Sequence, residues 1–138
     1  MKIVIYIIRF LLALLFLWTG FEKLFLPYNA ETFRTGCPDC NTDFFTYYDL
    51  LQYSGYLYFV GFFQLLCGLL LVFKRTYLLG SIMLVPLILC MLMTHFSLSK
   101  YPSFIIFDSV LFVLNLVLLF SRFKDWQPSL FKKQNSLI

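Results

Sequence analysis

The chain has 138 residues, of which 61% are hydrophobic and 13% charged, with a formal net charge of +4 and a mean hydropathy of +0.83. Soluble domains carry roughly 45–50% apolar and about 25% charged residues, so a water-soluble core cannot absorb this excess. The length admits one domain, and four helices of about 20 residues each would use most of it, which confines any chemistry to a helix bundle and its loops.

The first apolar run, residues 3–21, is interrupted only by Arg9 and Thr19 among strongly polar or charged side chains. At about 1.5 Å per residue it covers roughly the 30 Å hydrocarbon thickness of a bilayer. A cleaved signal peptide competes with this reading because Lys2 precedes the run. No small-x-small site follows, however, and the run ends in Trp18-Thr19-Gly20-Phe21-Glu22-Lys23, so a retained helix is predicted.

Further spans are predicted at 56–73, 77–98 and 104–120, giving an all-α integral membrane protein with a four-transmembrane-helix bundle. Only Lys74-Arg75-Thr76 separates the second from the third, so those two must be antiparallel neighbours. Pro86 removes a backbone donor inside the third span and predicts a kink there.

Lys2, the Lys74-Arg75 pair and the group Arg122, Lys124, Lys132 and Lys133 all fall on one side of these spans. The positive-inside rule makes that side cytoplasmic, with both termini there, a cytoplasmic tail over 121–138 and an outer loop over 22–55. The lipid bilayer is then the first partner and the bacterial inner membrane the expected location. Basic residues distributed this way describe topology, and a nucleic-acid partner is excluded. Tyr47, Tyr48, Tyr53, Tyr56, Tyr58 and Tyr77, together with Trp126, read as an interfacial aromatic belt, with a ligand-stacking platform as the alternative.

Polar residues inside a span are costly in lipid, about 2.5–3.5 kcal/mol for a charged group on insertion scales, and usually face the protein interior. Arg9, Ala13, Phe16, Gly20 and Lys23 recur at steps of four and three, which places a charged and small-residue stripe on one face of the first helix. Asp108, Phe112, Asn115 and Arg122 make a similar stripe on the fourth. Gly61, Gln64 and Gly68 put a close-approach surface and an amide on the second.

Counting rise along the spans places Arg9 in the inner third, Gln64 and Asn115 near the middle, and His95, Asp108, Glu22 and Lys23 toward the outside. Arg9, Gln64, His95, Asp108 and Asn115 are therefore the candidate ligand-binding residues. One reading makes Arg9, Asn115 and Gln64 a structural group holding the bundle in register. The other makes them a polar recess for a quinone-like head group. His95 is expected to bond Asp108 or solvent, with proton transfer as the alternative.

Gly36-Cys37-Pro38-Asp39-Cys40 falls in the outer loop as an exposed C-x-x-C in a turn. It admits a stapling disulfide, a catalytic dithiol exchanging with a partner, or a metal site with His95 as third ligand. Zinc wants four ligands, so no metal is assigned. Quinone-linked disulfide-forming membrane proteins usually carry a second outer dithiol, which this chain lacks: Cys67 and Cys90 lie within spans.

Two blocks resemble the DoxX family of small four-helix membrane proteins, in particular members from Bacteroidetes-type bacteria. The first is Arg9 through Trp18-Thr19-Gly20-Phe21-Glu22-Lys23, matching the family's Arg and terminal Gly-x-x-Lys. The second runs from Ser54-Gly55-Tyr56 through Gln64, Cys67-Gly68-Leu69-Leu70-Leu71 and Arg75 to Pro86 and His95. Gln64 stands where the family usually has a glutamate, and the Cys37 and Cys40 pair is not part of the common pattern. The resemblance implies a four-helix bundle and a redox association, since the family name comes from a quinone-linked thiosulfate oxidation system.

Together these readings predict a membrane protein linked to thiol or quinone redox chemistry, with Cys37 and Cys40 as the redox pair or a structural disulfide. A quinone is the cofactor this chemistry admits, and a membrane or periplasmic protein the partner, with a homo-oligomer also compatible. The alternative is a non-enzymatic membrane subunit or small-solute binding protein, whose polar residues serve helix packing and assembly.

Overall fold

A computed structural model of the chain describes residues 1–26 and 29–130. It is all α. Helix α1 spans Lys2–Phe25, α2 Ala30–Gly36, α3 Thr42–Tyr53, α4 Tyr56–Val72, α5 Tyr77–Thr94, α6 Pro102–Phe120 and α7 Phe123–Leu130. A π turn, His95–Ser99, extends α5. Among the described residues, three segments are long and apolar enough to cross a bilayer: α1, α5 with its π turn, and α6. Helix α4 becomes a fourth if it is counted with α3 as one span bent by 86°.

The long helices run up, down, up and down. Gly20 of α1 lies against Gly61 and Leu65 of α4, while Ala13 and Leu17 lie against Gly68, so α1 and α4 are antiparallel. On the other side of the bundle, Ser81 meets Asn115 and His95 meets Asp108, which makes α5 and α6 antiparallel. Lys2, Lys74, Arg75 and Tyr77 therefore gather at one end of the bundle and Lys23, His95 and Asp108 at the other.

Small residues produce the closest helix contact. A Cβ added to Gly20 would lie 2.6 Å from the Leu65 nitrogen and 2.8 Å from the Gly61 carbonyl oxygen, and one on Gly68 would lie 2.8 Å from the Leu17 nitrogen. Between helices in lipid the attraction is packing rather than the hydrophobic effect, so such backbone proximity is a main source of association. Of the predicted inward stripe of α1, Arg9, Ala13, Phe16 and Gly20 are buried and Lys23 is half-buried.

The bundle has an apolar exterior. Ile3, Ile7, Leu11, Leu14 and Trp18 are exposed on α1, as are Ile106, Val110, Val113 and Val117 on α6, while Gln64, Ser81, Asp108 and Asn115 are each at most 1% exposed. An apolar surface this extensive, around a core containing polar groups, matches a surrounding of lipid.

The region expected to be an outer loop, 22–55, is largely helical. Helix α1 continues to Phe25, and α2 and α3 follow. Both short helices begin at an asparagine whose side chain accepts backbone N–H groups: Asn29 from Glu31 and Thr32, and Asn41 from Asp43. These capping signals lie in polar sequence, where hydropathy is silent. Gly55, with φ +77°, takes a left-handed conformation that turns the chain from α3 into α4. Helix α5 continues through Pro86. The expected tail begins with α7, and its Lys132 and Lys133, like the Trp126 side chain, lie outside the described residues.

Candidate functional site: a capped cavity

Helices α2 and α3 form a cap over the end of the bundle that carries His95. Phe44 of α3 is 2% exposed and packs with Phe33, Phe45, Tyr48 and Phe104, and Tyr101 meets Phe104 in the same cluster. Its ring centroid lies 5.5 Å from that of His95. The backbone N–H of Asn41 donates to the carbonyl of Ser99 at 3.2 Å, tying the start of α3 to the π turn. Arg34 of α2 donates to Asp49 of α3 at 2.7 Å, and the Phe33 and Tyr48 rings stack at 4.3 Å.

Cys37 and Cys40 form a disulfide with their Cα atoms 5.4 Å apart. The two residues are 2% and 8% exposed and belong to the same apolar cluster as Phe44. The expected exposed position is therefore corrected: the pair sits beneath the cap, because the short connection between α2 and α3 folds its cysteines inward against the aromatic rings. Both sulfurs are committed to the bond, which removes the thiolates a metal site with His95 would need.

Beneath the cap lies a cavity of about 770 Å³. Tyr47, Tyr48, Phe59 and Phe63 line it from the cap and α4, while Met83, Pro86, Leu87 and Met91 line it from α5. Its polar wall consists chiefly of Lys23, Gln64, Thr94, His95 and Asp108. This is the size and character of a small-molecule site, apolar for the most part with a few placed polar groups.

His95 Nδ1 and Asp108 Oδ2 are 2.5 Å apart, with the His95 side chain 18% exposed and that of Asp108 2%. A carboxylate at Nδ1 fixes the tautomer: Nδ1 donates, and in the neutral ring Nε2 is left as an acceptor. Gln64, deeper in the cavity, donates from Nε2 to the Met91 sulfur at 3.3 Å. Its Oε1 is fully buried and accepts no hydrogen bond among the described residues. Leaving a buried acceptor unpaired costs about 1–3 kcal/mol, so the site has capacity for a donor. Lys23 donates to the Thr19 carbonyl at 3.5 Å, a long bond that uses one of its three protons. In the cap, burial, and secondarily the charge of Glu22, pushes the Tyr48 phenol up to about 12, so it stays protonated at physiological pH.

The five candidate ligand-binding residues thus divide among three places. Gln64, His95 and Asp108 share the cavity. Asn115 sits in the bundle core, where its Oδ1 accepts from Ser81 Oγ at 2.8 Å and its Nδ2 donates to the Ser81 carbonyl at 3.0 Å. Arg9 lies toward the opposite end and joins neither Asn115 nor Gln64, which corrects the expected group. Its guanidinium carbon is 4.9 Å from the Tyr6 ring centroid, 4.8 Å from that of Phe10 and 5.3 Å from that of Tyr77. Such stacking contributes roughly 0.5–2 kcal/mol per ring, depending on desolvation, yet satisfies no N–H.

The sequence reading assigned Tyr47, Tyr48 and Tyr56 to an interfacial belt, but all three line the cavity. Tyr53, at 93% exposure, and the exposed Tyr58 are placed as a belt would have them. Phe44, Phe63, Met91 and Phe104 were missed as site residues. A helical assignment over 42–53, available from Asn41 followed by Asp43, would have brought the α3 aromatics to one face.

The fold and site define a class: among the described residues the chain is all α, with three to four helices long and apolar enough to cross a membrane, as in a multi-pass membrane protein, and a capped cavity at one end. No protein-family model, no curated protein and no solved structure matches the chain.

Proposed function

We propose that the chain is a four-span protein of the bacterial cytoplasmic membrane whose capped cavity binds an amphiphilic small molecule with a flat, hydroxylated head of the quinol class. Helices α1, α4, α5 and α6 are the spans, and α2 and α3 cap them on the outer side. Lys2, Lys74 and Arg75 at the opposite end support a cytoplasmic placement of that end by the positive-inside rule. The kinship with the DoxX family belongs to this proposal and rests on the sequence landmarks, of which Gly20 and Lys23 lie at the contact of α1 with α4.

The observation that carries the ligand class is Gln64, a cavity-lining residue whose buried Oε1 has no hydrogen-bond partner among the described residues. With its Nε2 engaged by Met91, the amide calls for a ligand that donates, and a phenolic hydroxyl does so while its ring packs among Phe63, Met83 and Leu87. His95 stands one helical turn beyond Met91, about 6 Å along α5, so its free Nε2 is placed to accept from a second hydroxyl across the ring. The alkyl part of the ligand occupies the apolar remainder of the cavity.

A redox reading uses the same parts. A partner protein's dithiol reduces the Cys37–Cys40 disulfide and is itself oxidised to a disulfide, and the resulting Cys37 and Cys40 thiols give two electrons and two protons to a quinone in the cavity, restoring their disulfide and leaving the quinol. Phe44 lies in the cluster with both cysteines and against His95, which supports proximity of the two sites. Burial of both sulfurs favours binding over exchange, so the non-enzymatic role leads.

Titration of the purified chain in nanodiscs with decylhydroquinone, followed by native mass spectrometry, tests the proposal. One molecule should bind per chain, and Val60→Trp, which adds bulk at a cavity-lining residue of α4, should abolish binding while the protein remains monodisperse. Equal binding by the filled variant would place the ligand elsewhere.

A further inference from the structure

We infer that Arg9 and its aromatic surround form a head-group site for an anionic phospholipid of the leaflet at the Lys2 end of the bundle. This rests on the membrane reading proposed above and is independent of the cavity, which lies at the opposite end.

Arg9 is 5% exposed, and its Nε is fully buried with no hydrogen-bond partner among the described residues. The three rings around the guanidinium hold it in place by their faces, and none supplies an acceptor. A buried cation with unspent donors calls for an anion from outside the chain. Arg9 lies seven residues after Lys2, about 10 Å along the helix axis, and a long helical side chain leans toward the N-terminus. Its contact with Tyr6, three residues earlier, and with Tyr77, the first residue of α5, places the guanidinium near that end of the bundle.

The side-chain charges of this end agree in sign: Lys2, Lys74 and Arg75 add cationic charge, while the dipoles of α1 and α5, which begin here, are offset by those of α4 and α6, which end here. Beside the Tyr6 and Phe10 rings, Ile3, Ile7, Leu11 and Leu14 line a shallow apolar groove along α1. A phosphate at the guanidinium with an acyl chain along this groove satisfies both. Inorganic phosphate shares the head-group chemistry but has nothing to place in the groove, so the site is assigned to the lipid.

The test is lipid retention by the full chain, measured by native mass spectrometry with dioleoyl phosphatidylglycerol competing against dioleoyl phosphatidylcholine. Flotation with phosphatidylcholine vesicles checks membrane insertion separately, so failure of the membrane reading shows there and failure of the lipid site shows only in the competition. The wild type should prefer the anionic lipid by roughly fivefold or more, the scale of one basic residue at an anionic surface, and Arg9→Gln should remove that preference. Should Arg9→Gln fail to fold, Leu11→Trp, which blocks the groove on the lipid-facing side, should weaken retention with Arg9 intact. An unchanged preference in the folded variant overturns the assignment. So does displacement of the lipid by sodium phosphate as effective as displacement by short-chain phosphatidylglycerol, or a dimeric mass that Arg9→Gln converts to monomer.

Discussion

Nδ1 of His95, at the junction of α5 and its π turn, donates to the carboxylate of Asp108 on α6, and the two atoms are 2.5 Å apart. The bond joins the end of one long helix to the body of the next, beneath the cap and on the wall of the cavity. Removing the imidazole leaves an almost fully buried carboxyl group without its Nδ1–H donor. His95→Ala should therefore destabilise the protein by about 1–3 kcal/mol, the usual cost of leaving a buried acceptor unpaired. Asp108→Asn, which can still accept from Nδ1, should cost less. Thermal unfolding in detergent decides it, and a larger loss in Asp108→Asn would show that the pair is not the source of the stability.

The contact of α1 with α4 predicts a sharp contrast among glycines. Gly20→Val places a branched side chain where even a Cβ meets backbone at 2.6 Å, whereas a Cβ on Gly36 meets nothing within 4 Å. Gly20→Val should abolish folded yield. Gly36→Ala should leave yield unchanged and alter stability by less than about 1 kcal/mol. Size-exclusion profiles of the two variants check this, and a monodisperse Gly20→Val would mean that the helices do not approach so closely.

The cap should protect its disulfide. Glutathione should reduce Cys37 and Cys40 slowly in the folded protein and rapidly in denaturant, because both residues are buried beside Phe44. Closing so short a loop removes little chain entropy, on the order of 2 kcal/mol, so the double serine variant should still fold. Mass shift after alkylation measures the rates. Equal rates in the folded and denatured protein would show a pair open to partners and strengthen the thiol-exchange reading.

Tyr48 makes stability depend on alkaline pH. Its folded phenol is raised to about 12 while the unfolded one stays near 10.0, so its contribution is fully present below 10.0 and is lost as pH rises through about 12. The wild type should lose more stability across that window than Tyr48→Phe. Parallel losses would show that the phenol is not held protonated by its surroundings.

Much of this fold was legible in the sequence because lipid imposes a coarse, long-range pattern on it. The apolar runs containing Arg9, Gln64, Pro86 and Asp108 were placed within a few residues, and the His95 bond to Asp108 follows from matching their depths along neighbouring spans. The cap was illegible to hydropathy because α2 and α3 are short and flanked by polar residues, so their signals are local caps at Asn29 and Asn41. Arg9 and Asn115 were misjoined for a different reason. Depth counting gives height along a helix axis but not which neighbour a side chain meets, and Ser81, a small residue inside an apolar run, had already claimed the Asn115 amide.

The central claim is that Gln64 reads a donor on a ligand in the capped cavity, and paired affinities of the wild type and Gln64→Leu for decylhydroquinone and its dimethyl ether test it most directly. The wild type should bind the free hydroquinone about tenfold or more tightly than the ether, a difference of about 1.4 kcal/mol, and Gln64→Leu should lose the larger part of that preference, keeping only what the second hydroxyl gains from His95. Equal affinities in the wild type, or a preference undiminished in Gln64→Leu, would contradict the account.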